Sequence, residues 1–129
     1  FLDYMQWQGT NDISAYLTVP DTIQFLENHN WKEKAARCKE LNLWAKNEIS
    51  SQLNIKALGS DEFLGQMTTF SFPLDDTIEQ QMEFYKKYKI QIPFIKWHEQ
   101  TFFRISSQVY NSKEDFIYLI ESLREFKDI

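Results

Sequence analysis

The feature that most constrains this chain is a long amphipathic stripe that begins at Trp31 and ends at Leu53. Apolar side chains recur there at spacings of three and four residues, which is the period of one helix face. They are Trp31, Ala35, Cys38, Leu41, Ala45, Ile49 and Leu53. The opposite face carries lysine and glutamate. The pattern predicts a long helix whose apolar side has to be covered by another layer of structure.

Length and composition fit one domain around an aromatic core. The 129 residues are 43% hydrophobic and 26% charged, as expected of a globular protein, and 16% are aromatic, including eleven Phe. We interpret the aromatic residues mainly as core. A part of them is also suited to a surface that contacts another domain or subunit.

Periodicity and turn residues predict seven elements along the chain. They are a helix from Thr18 to about Asn28, the helix at 31–53, a strand at 66–72, a helix starting at 75–77, strands at 90–97 and 101–108, and a helix from Ser112 to about Phe126. Thr18-Val19-Pro20-Asp21 has the form of a capping box with proline in the first turn.

The other three helices each have an apolar stripe that we expect to face inward. The helix after 75–77 presents Ile78, Met82 and Tyr85. The final helix presents Phe116, Leu119, Ile120 and Leu123. The first helix has Ile23 and Leu26 on its apolar side.

This order predicts an α+β two-layer sandwich: a three-stranded, mainly antiparallel sheet with helices packed on one face. The strands at 90–97 and 101–108 are expected to form a hairpin, and 101–108 is expected to be the middle strand. The connection between the first two strands should be right-handed. We divide the chain into an entering segment, 1–11, and one α+β domain, 12–129.

Charge and cysteine content argue against several classes of function. The net charge is −5 and the longest basic run is Lys86-Lys87. This charge pattern argues against nucleic acid as the main partner, because phosphate binding needs a concentrated set of Lys and Arg residues. No apolar stretch is long enough to cross a membrane. The single cysteine, Cys38, is predicted to be a buried structural thiol, and the chain is predicted to be cytoplasmic. It opens on Phe1 rather than Met, which suggests the interior of a longer gene product.

The sequence lacks the parts of a complete active site. Its two histidines, His29 and His98, lie in polar turns without a second ligand at metal-binding spacing. Three glycines cannot build a phosphate-binding Gly-rich loop. We find no pairing of a nucleophile with a base. No catalytic residue and no metal site are therefore predicted within the chain.

Arg104 is the first candidate site residue. It lies in the centre of a strand that otherwise reads as buried, where a guanidinium is costly unless an anion pairs with it. Two structural interpretations stay open: a pair with a local carboxylate, or a side chain that points to solvent from a half-exposed sheet. Gly9-Thr10-Asn11 is a weaker candidate, because its backbone N–H and hydroxyl could meet a phosphate but a plain turn explains it as well.

Two motifs carry a family resemblance over essentially the whole chain. The first is Trp7-x-Gly9-Thr10-x-Asp12-x-x-Ala15-Tyr16-Leu17-x-Val19-Pro20. The second is Arg104-Ile105-Ser106-x-x-x-Tyr110-Asn111-x-x-Glu114-Asp115. Together they resemble the C-terminal small domain of class V aminotransferase-fold enzymes, which depend on pyridoxal 5′-phosphate. The first motif is most similar to the isopenicillin N epimerase-like branch.

The resemblance implies a role for three residues. Arg104 matches the arginine that binds the α-carboxylate of an amino-acid substrate. Gly9 and Thr10 match a pair that contacts the cofactor phosphate in the neighbouring subunit, which implies a homodimer. Tyr110 and Asn111 also match, and we interpret them as residues that shape the turn before the last helix. Asn11 departs from the pattern, since epimerase-like members often have arginine there.

The resemblance also implies what the chain omits. The large domain, with the lysine that holds the cofactor covalently, is expected before residue 1, so this part alone is expected to be inactive and to hold no cofactor. Epimerase, aminotransferase, desulfurase and lyase chemistry share the carboxylate-binding arginine, so the reaction stays open. The alternative is a free-standing interaction domain without catalysis.

Overall fold

The computed structural model describes Phe1 and residues 4–5, 9–75 and 77–127. By its internal contacts the chain divides into two compact units, Phe1–Lys32 and Glu33–Ile129. The described helices of eight residues or more, with the strands, are α2 (Val19–Asn28), α3 (Trp31–Leu53), β1 (Met67–Ser71), α4 (Thr77–Tyr88), β2 (Phe94–Trp97), β3 (Gln100–Ser106) and α5 (Lys113–Lys127). A one-turn helix, α1 (Ser14–Leu17), precedes α2.

In the first unit, the predicted helix to Asn28 is confirmed but its predicted cap is wrong. Thr18 has helical dihedrals and makes no cap bond with its side chain. Its hydroxyl donates instead to the Ala15 carbonyl, 2.9 Å away, because α1 runs directly into α2. Pro20 lies in the first turn as predicted. The predicted apolar face is not buried, since Ile23 is exposed and no residue of α2 is buried.

In the second unit, three strands form an antiparallel sheet in the order β1-β3-β2, so the prediction that β3 is the middle strand is confirmed. The predicted α+β class is confirmed as well. The helix side of the sheet holds the buried aromatic side chains Phe70, Phe94 and Phe103 with Ile105. Buried residues of α3, α4 and α5 belong to the same core cluster.

The stripe of α3 is largely confirmed: Cys38, Ala45, Ile49 and Leu53 are buried. The helix ends in a Schellman motif, with Asn54 at φ 51° and the Ile55 N–H donating to the Ser50 carbonyl. The stripe of α5 is confirmed completely. Its buried residues include Phe116, Leu119, Ile120 and Leu123.

The predicted inward stripe of α4 is wrong. Ile78, Met82 and Tyr85 are all exposed, and the helix buries Phe84 and Tyr88 instead. The inward side chains meet an aromatic cluster, in which Phe84 lies 5.5 Å from Phe94 and 5.3 Å from Phe126 between ring centroids. Burying two aromatic rings in this cluster outweighs burying the mixed aliphatic stripe.

The two predicted hairpin strands are shorter than expected, although the hairpin itself is confirmed. The stretch 90–93 is outside the strand, and Pro93 lacks the N–H that a ladder needs. Its carbonyl still accepts from the Arg104 N–H at 3.3 Å. At the far end, Gln108 belongs to the turn that leads into α5. The hairpin turn places His98 at φ 52°.

Polar contacts from α3 fix the start of the sheet. Asn42, fully buried in α3, donates through Nδ2 to the Gly65 carbonyl at 3.2 Å and to the Thr68 hydroxyl at 2.9 Å. The predicted loop between Gly59 and Gly65 includes a short 3-10 turn, Asp61–Phe63. Lys46 of α3 forms an ion pair with Asp61 in that turn. The helix and the loop together hold β1 in register.

Candidate functional site

Arg104 lies on the side of the sheet that faces away from the helices. Along β3 the buried residues Phe103 and Ile105 alternate with it, so the strand period places the guanidinium on the opposite face. We call this the open face and define it by the exposed residues Met67, Ser71, Arg104 and Ser106. Phe102 points to the same side and is buried. Arg104 is therefore central in the sheet yet accessible to solvent.

The Arg104 guanidinium has no carboxylate partner among the residues that the structure describes. The ion pairs found there all involve lysines: Lys46 with Asp61, Lys87 with Glu125, and Lys127 with Asp75. Within the described residues, Arg104 therefore forms no local salt bridge. The side chain matches the other interpretation, a cation on the exposed side of a sheet.

Arg104 lines a cleft of about 280 Å³. Its walls come from the segment before β2, the end of β3 and the start of α5. Polar side chains around it are those of Gln91, Ser106, Tyr110, Asn111 and Asp115. The sequence pattern did not point to Gln91, because the stretch 90–93 reads as an ordinary buried strand. The proline at 93 was the available signal that this stretch leaves the ladder.

Asn111 shapes the turn that forms one wall of this cleft. Its Oδ1 accepts from the Gln108 N–H at 2.9 Å, and its Nδ2 donates to Asp115 at 3.4 Å. Asp115 in turn accepts from the Ser112 N–H at 2.9 Å. This last bond is the reaching-back half of a capping box at the start of α5. The Asp115 carboxylate is thus occupied by its own helix start, and Tyr110 beside it is 81% exposed.

Glu114 supports the same helix start. Its pKa is lowered, first because its carboxylate accepts from its own backbone N–H and then because it accepts from the Ser112 hydroxyl. A negative charge in the first turn also interacts favourably with the helix dipole. The acidic residues of the second motif therefore act on α5, which leaves Arg104 as the charged residue of that motif that takes no part in the helix start.

Gly9 and Thr10 lie in the first unit. Gly9 adopts φ +67°, a conformation that favours glycine, and a Cβ placed there would meet no atom within 4 Å. Thr10 is exposed, and its hydroxyl has no hydrogen-bond partner in the described part of the chain. Trp7, the first residue of the same motif, lies outside the described residues. Asp12, two residues after Thr10, accepts hydrogen bonds from the Ser14 hydroxyl and the Ser14 N–H. These bonds lower the pKa of the Asp12 carboxyl.

The remaining polar candidates do not form a site. His29 bonds the Phe25 carbonyl at the end of α2, and His98 occupies the hairpin turn beside Trp97. Cys38 is buried and free, as predicted. Within residues 9–75 and 77–127, no three His, Cys, Asp or Glu side chains are grouped closely enough to hold a metal ion.

The chain resembles two curated proteins along most of its length. It is 23% identical to isopenicillin N epimerase of Amycolatopsis lactamdurans over 124 residues, which span 94% of this chain and 31% of that protein. It is 25% identical to hercynylcysteine sulfoxide lyase of Schizosaccharomyces pombe, over 89% of this chain and 30% of that protein. The chain thus spans about a third of each. No family model matches it.

Solved structures share the fold. An 8-amino-7-oxononanoate synthase from Francisella tularensis superposes on 83% of this chain with a TM-score of 0.65 at 13% identity, using 31% of its own length. A NifS-like protein from Rickettsia africae superposes on 81% with a TM-score of 0.63 at 17% identity, using 32% of its own length. The predicted resemblance, to a small domain within a much longer enzyme, is confirmed.

Proposed function

We propose that this chain is the C-terminal small domain of a pyridoxal 5′-phosphate-dependent enzyme with a class V aminotransferase fold that acts on an amino acid. The single observation that carries the proposal is the position of Arg104. Its guanidinium has no carboxylate partner among the described residues and stands on the open face of a central strand, and Arg104 lines a cleft. The shared fold and the two relatives support the same proposal.

Arg104 is suited to hold the substrate α-carboxylate. Its planar fork can donate two parallel hydrogen bonds to one carboxylate, which fixes direction as well as position. The cofactor, when bound, supplies the electron sink that stabilises a carbanion at the substrate Cα. The arginine contributes orientation: holding the carboxylate sets which Cα bond is aligned for cleavage. This chain would therefore form one wall of the site and contribute no catalytic residue.

Gly9 and Thr10 are suited to meet the cofactor phosphate. The positive φ of Gly9 and the exposed Thr10 hydroxyl, which has no partner within the described residues, leave donors suited to an anion. We propose that the phosphate they contact belongs to the neighbouring subunit, so that the enzyme is a homodimer. The lysine that binds the cofactor covalently would lie in the large domain before residue 1.

The reaction is left open by these residues, because a carboxylate-binding arginine serves many chemistries. The two relatives are named as an epimerase and a sulfoxide lyase, so isomerase and lyase reactions are both compatible. Transamination and desulfuration can use the same contact between an arginine and the substrate carboxylate. The side chain of the substrate would be read by groups outside this chain.

A second candidate function is a free-standing interaction domain. The exposed stripe of Ile78, Met82 and Tyr85 on α4 favours it, because large apolar side chains on one helix face often mark a contact surface. The same stripe is equally suited to contact a large domain of the same enzyme. No helix among the described residues is long and apolar enough to cross a membrane. A cytoplasmic location stays a prediction.

The experiment that separates the two candidates is to sequence upstream of Phe1 and purify the product. The enzyme proposal predicts a continuous reading frame, of about 250 residues if it encodes a typical large domain. The purified product should show the visible absorption of bound cofactor, and the 129-residue chain should show none. A start codon directly before Phe1 would favour the interaction domain and would contradict the enzyme proposal.

A further inference from the structure

A second cleft, of about 390 Å³, lies between α3 and the turn that leads into α5. Its lining residues are Lys34, Arg37, Cys38, Leu41, Gln108, Val109, Asn111, Ser112 and Lys113. The four from α3 are spaced i, i+3, i+4 and i+7, so they share one face of that helix. Neither of the two sequence motifs points to the four residues from α3.

The charge of this cleft is opposite to that of the chain. Acidic residues outnumber basic ones by 19 to 14 overall, yet Lys34, Arg37 and Lys113 line the cleft and no acidic residue does. None of the three forms an ion pair with a residue that the structure describes, although Lys46, Lys87 and Lys127 do. Three cations around one concave surface, with no acidic residue in its lining, create a local positive potential that favours an anionic ligand.

The neutral groups in the cleft add donors rather than acceptors. The Oε1 of Gln108 accepts from the Val109 N–H at 2.9 Å and lies 3.8 Å from the Cys38 sulfur. Its amide NH₂ then has no partner among the described residues and remains available. The Lys113 ammonium lies 4.8 Å from the centroid of the Trp44 ring, which restricts where it can reach. A ligand here would meet a guanidinium, two ammonium groups and an amide donor.

We propose that this cleft binds a small anion that carries a phosphoryl group, at a site separate from the Arg104 cleft. Three cations match the two negative charges of a phosphate monoester better than the single charge of a carboxylate. The volume accommodates a phosphoryl group with a small organic substituent. Asn111 lines both clefts, so an anion bound here would contact the same turn that forms one wall of the Arg104 cleft. The inference does not depend on the proposed enzyme function.

The test is thermal unfolding of the 129-residue chain with inorganic phosphate or glycerol 2-phosphate, against chloride at matched ionic strength. Binding to the folded state raises Tm in a saturable way. Arg37→Gln and Lys34→Gln should each weaken the apparent affinity by about tenfold or more, because each removes a charge-assisted hydrogen bond. Lys39→Gln is the matched control: the residue lies on the same helix, is exposed and does not line the cleft.

Four results would overturn the proposal. The first is a Tm that responds to phosphate no more than to chloride. The second is a response that survives the double variant Arg37→Gln/Lys34→Gln. The third is an equal response to succinate, which would show that a dicarboxylate suffices and that no phosphoryl group is recognised. The fourth is loss of the phosphate response in Arg104→Ala, which would place the anion in the other cleft.

Discussion

Replacing Phe103 with alanine should cause a large loss of stability, because this residue is the centre of the core. It is fully buried in the middle strand, where it pairs with Phe70 on one side and Phe94 on the other. Its ring stacks on Phe70 at 5.0 Å and meets Phe72 edge-on at 5.3 Å, between centroids. Removing the ring leaves a cavity between the sheet and the helices, and the strand that carried it is fixed by ladder hydrogen bonds on both sides and cannot collapse into the space.

The expected loss is about 4 kcal/mol, within the range of about 3–5 kcal/mol for Phe→Ala in a core. Aromatic pairs of this kind contribute about 0.5–1.5 kcal/mol each beyond burial, and Phe103 makes two. A domain of this size has about 5–15 kcal/mol in total, so the variant would be marginal. Tm should fall by roughly 15 °C.

Urea unfolding followed by far-ultraviolet circular dichroism measures the loss. Phe63→Ala is the matched control, because Phe63 is 86% exposed and its removal should change the free energy of unfolding by less than about 0.5 kcal/mol. A loss below about 1 kcal/mol in Phe103→Ala would refute the placement of this ring at the centre of the core. Equal losses in the two variants would do the same.

Two further predictions concern helix ends. Lys89, directly after α4, has φ 59°, so Lys89→Gly should raise the free energy of unfolding by about 1 kcal/mol in a urea titration. Lys86→Gly, inside the helix, should lower it by about 1 kcal/mol, and a loss in both variants would contradict the left-handed conformation at Lys89. The pKa of Glu114 is lowered in the folded state, so its contribution is present above the ordinary value of 4.5 and is lost as the pH falls through the folded value. Glu114→Gln should therefore flatten the fall in stability with acid below about pH 4.5, and an unchanged acid profile would argue against the hydrogen bonds assigned to that carboxylate.

The sequence predicted best those elements whose apolar residues form one unbroken stripe. In α3 and α5 a single face carries nearly all the apolar side chains, so the period alone identifies the buried side. Such stripes are features that local spacing expresses directly. The choice of 101–108 as the middle strand was also confirmed, although the sequence did not fix it.

The failures occurred where tertiary packing chooses between alternatives. The sequence of α4 contains two apolar faces, one with Ile78, Met82 and Tyr85 and the other with Phe84 and Tyr88. Local spacing does not say which face meets the sheet, and the aromatic cluster around Phe126 selects the second. In the same way, Thr18 looks like a cap only if the preceding turn, α1, is not helical.

The candidate site was predictable in identity but not in geometry. A lone arginine in an apolar strand could be noticed from the sequence, but the sequence left open whether it pairs with a local carboxylate or points to solvent. The absence of a carboxylate partner in the described part of the chain needed coordinates, because residues distant in sequence could have supplied one. The lining of the second cleft also needed coordinates, since Arg37 and Lys113 are brought together only by folding.

The central claim, that Arg104 binds the substrate carboxylate, is tested most directly by titrating amino acids into the cofactor-loaded full-length enzyme and its Arg104→Ala variant. Arg104→Ala should keep its cofactor and weaken amino-acid binding by about 10- to 100-fold, read from the visible spectrum. Arg104→Lys should recover only part of this affinity, and Arg124→Ala, which removes an arginine bonded to the Gln52 carbonyl, should bind as the wild type does. An unchanged affinity in Arg104→Ala would contradict the account.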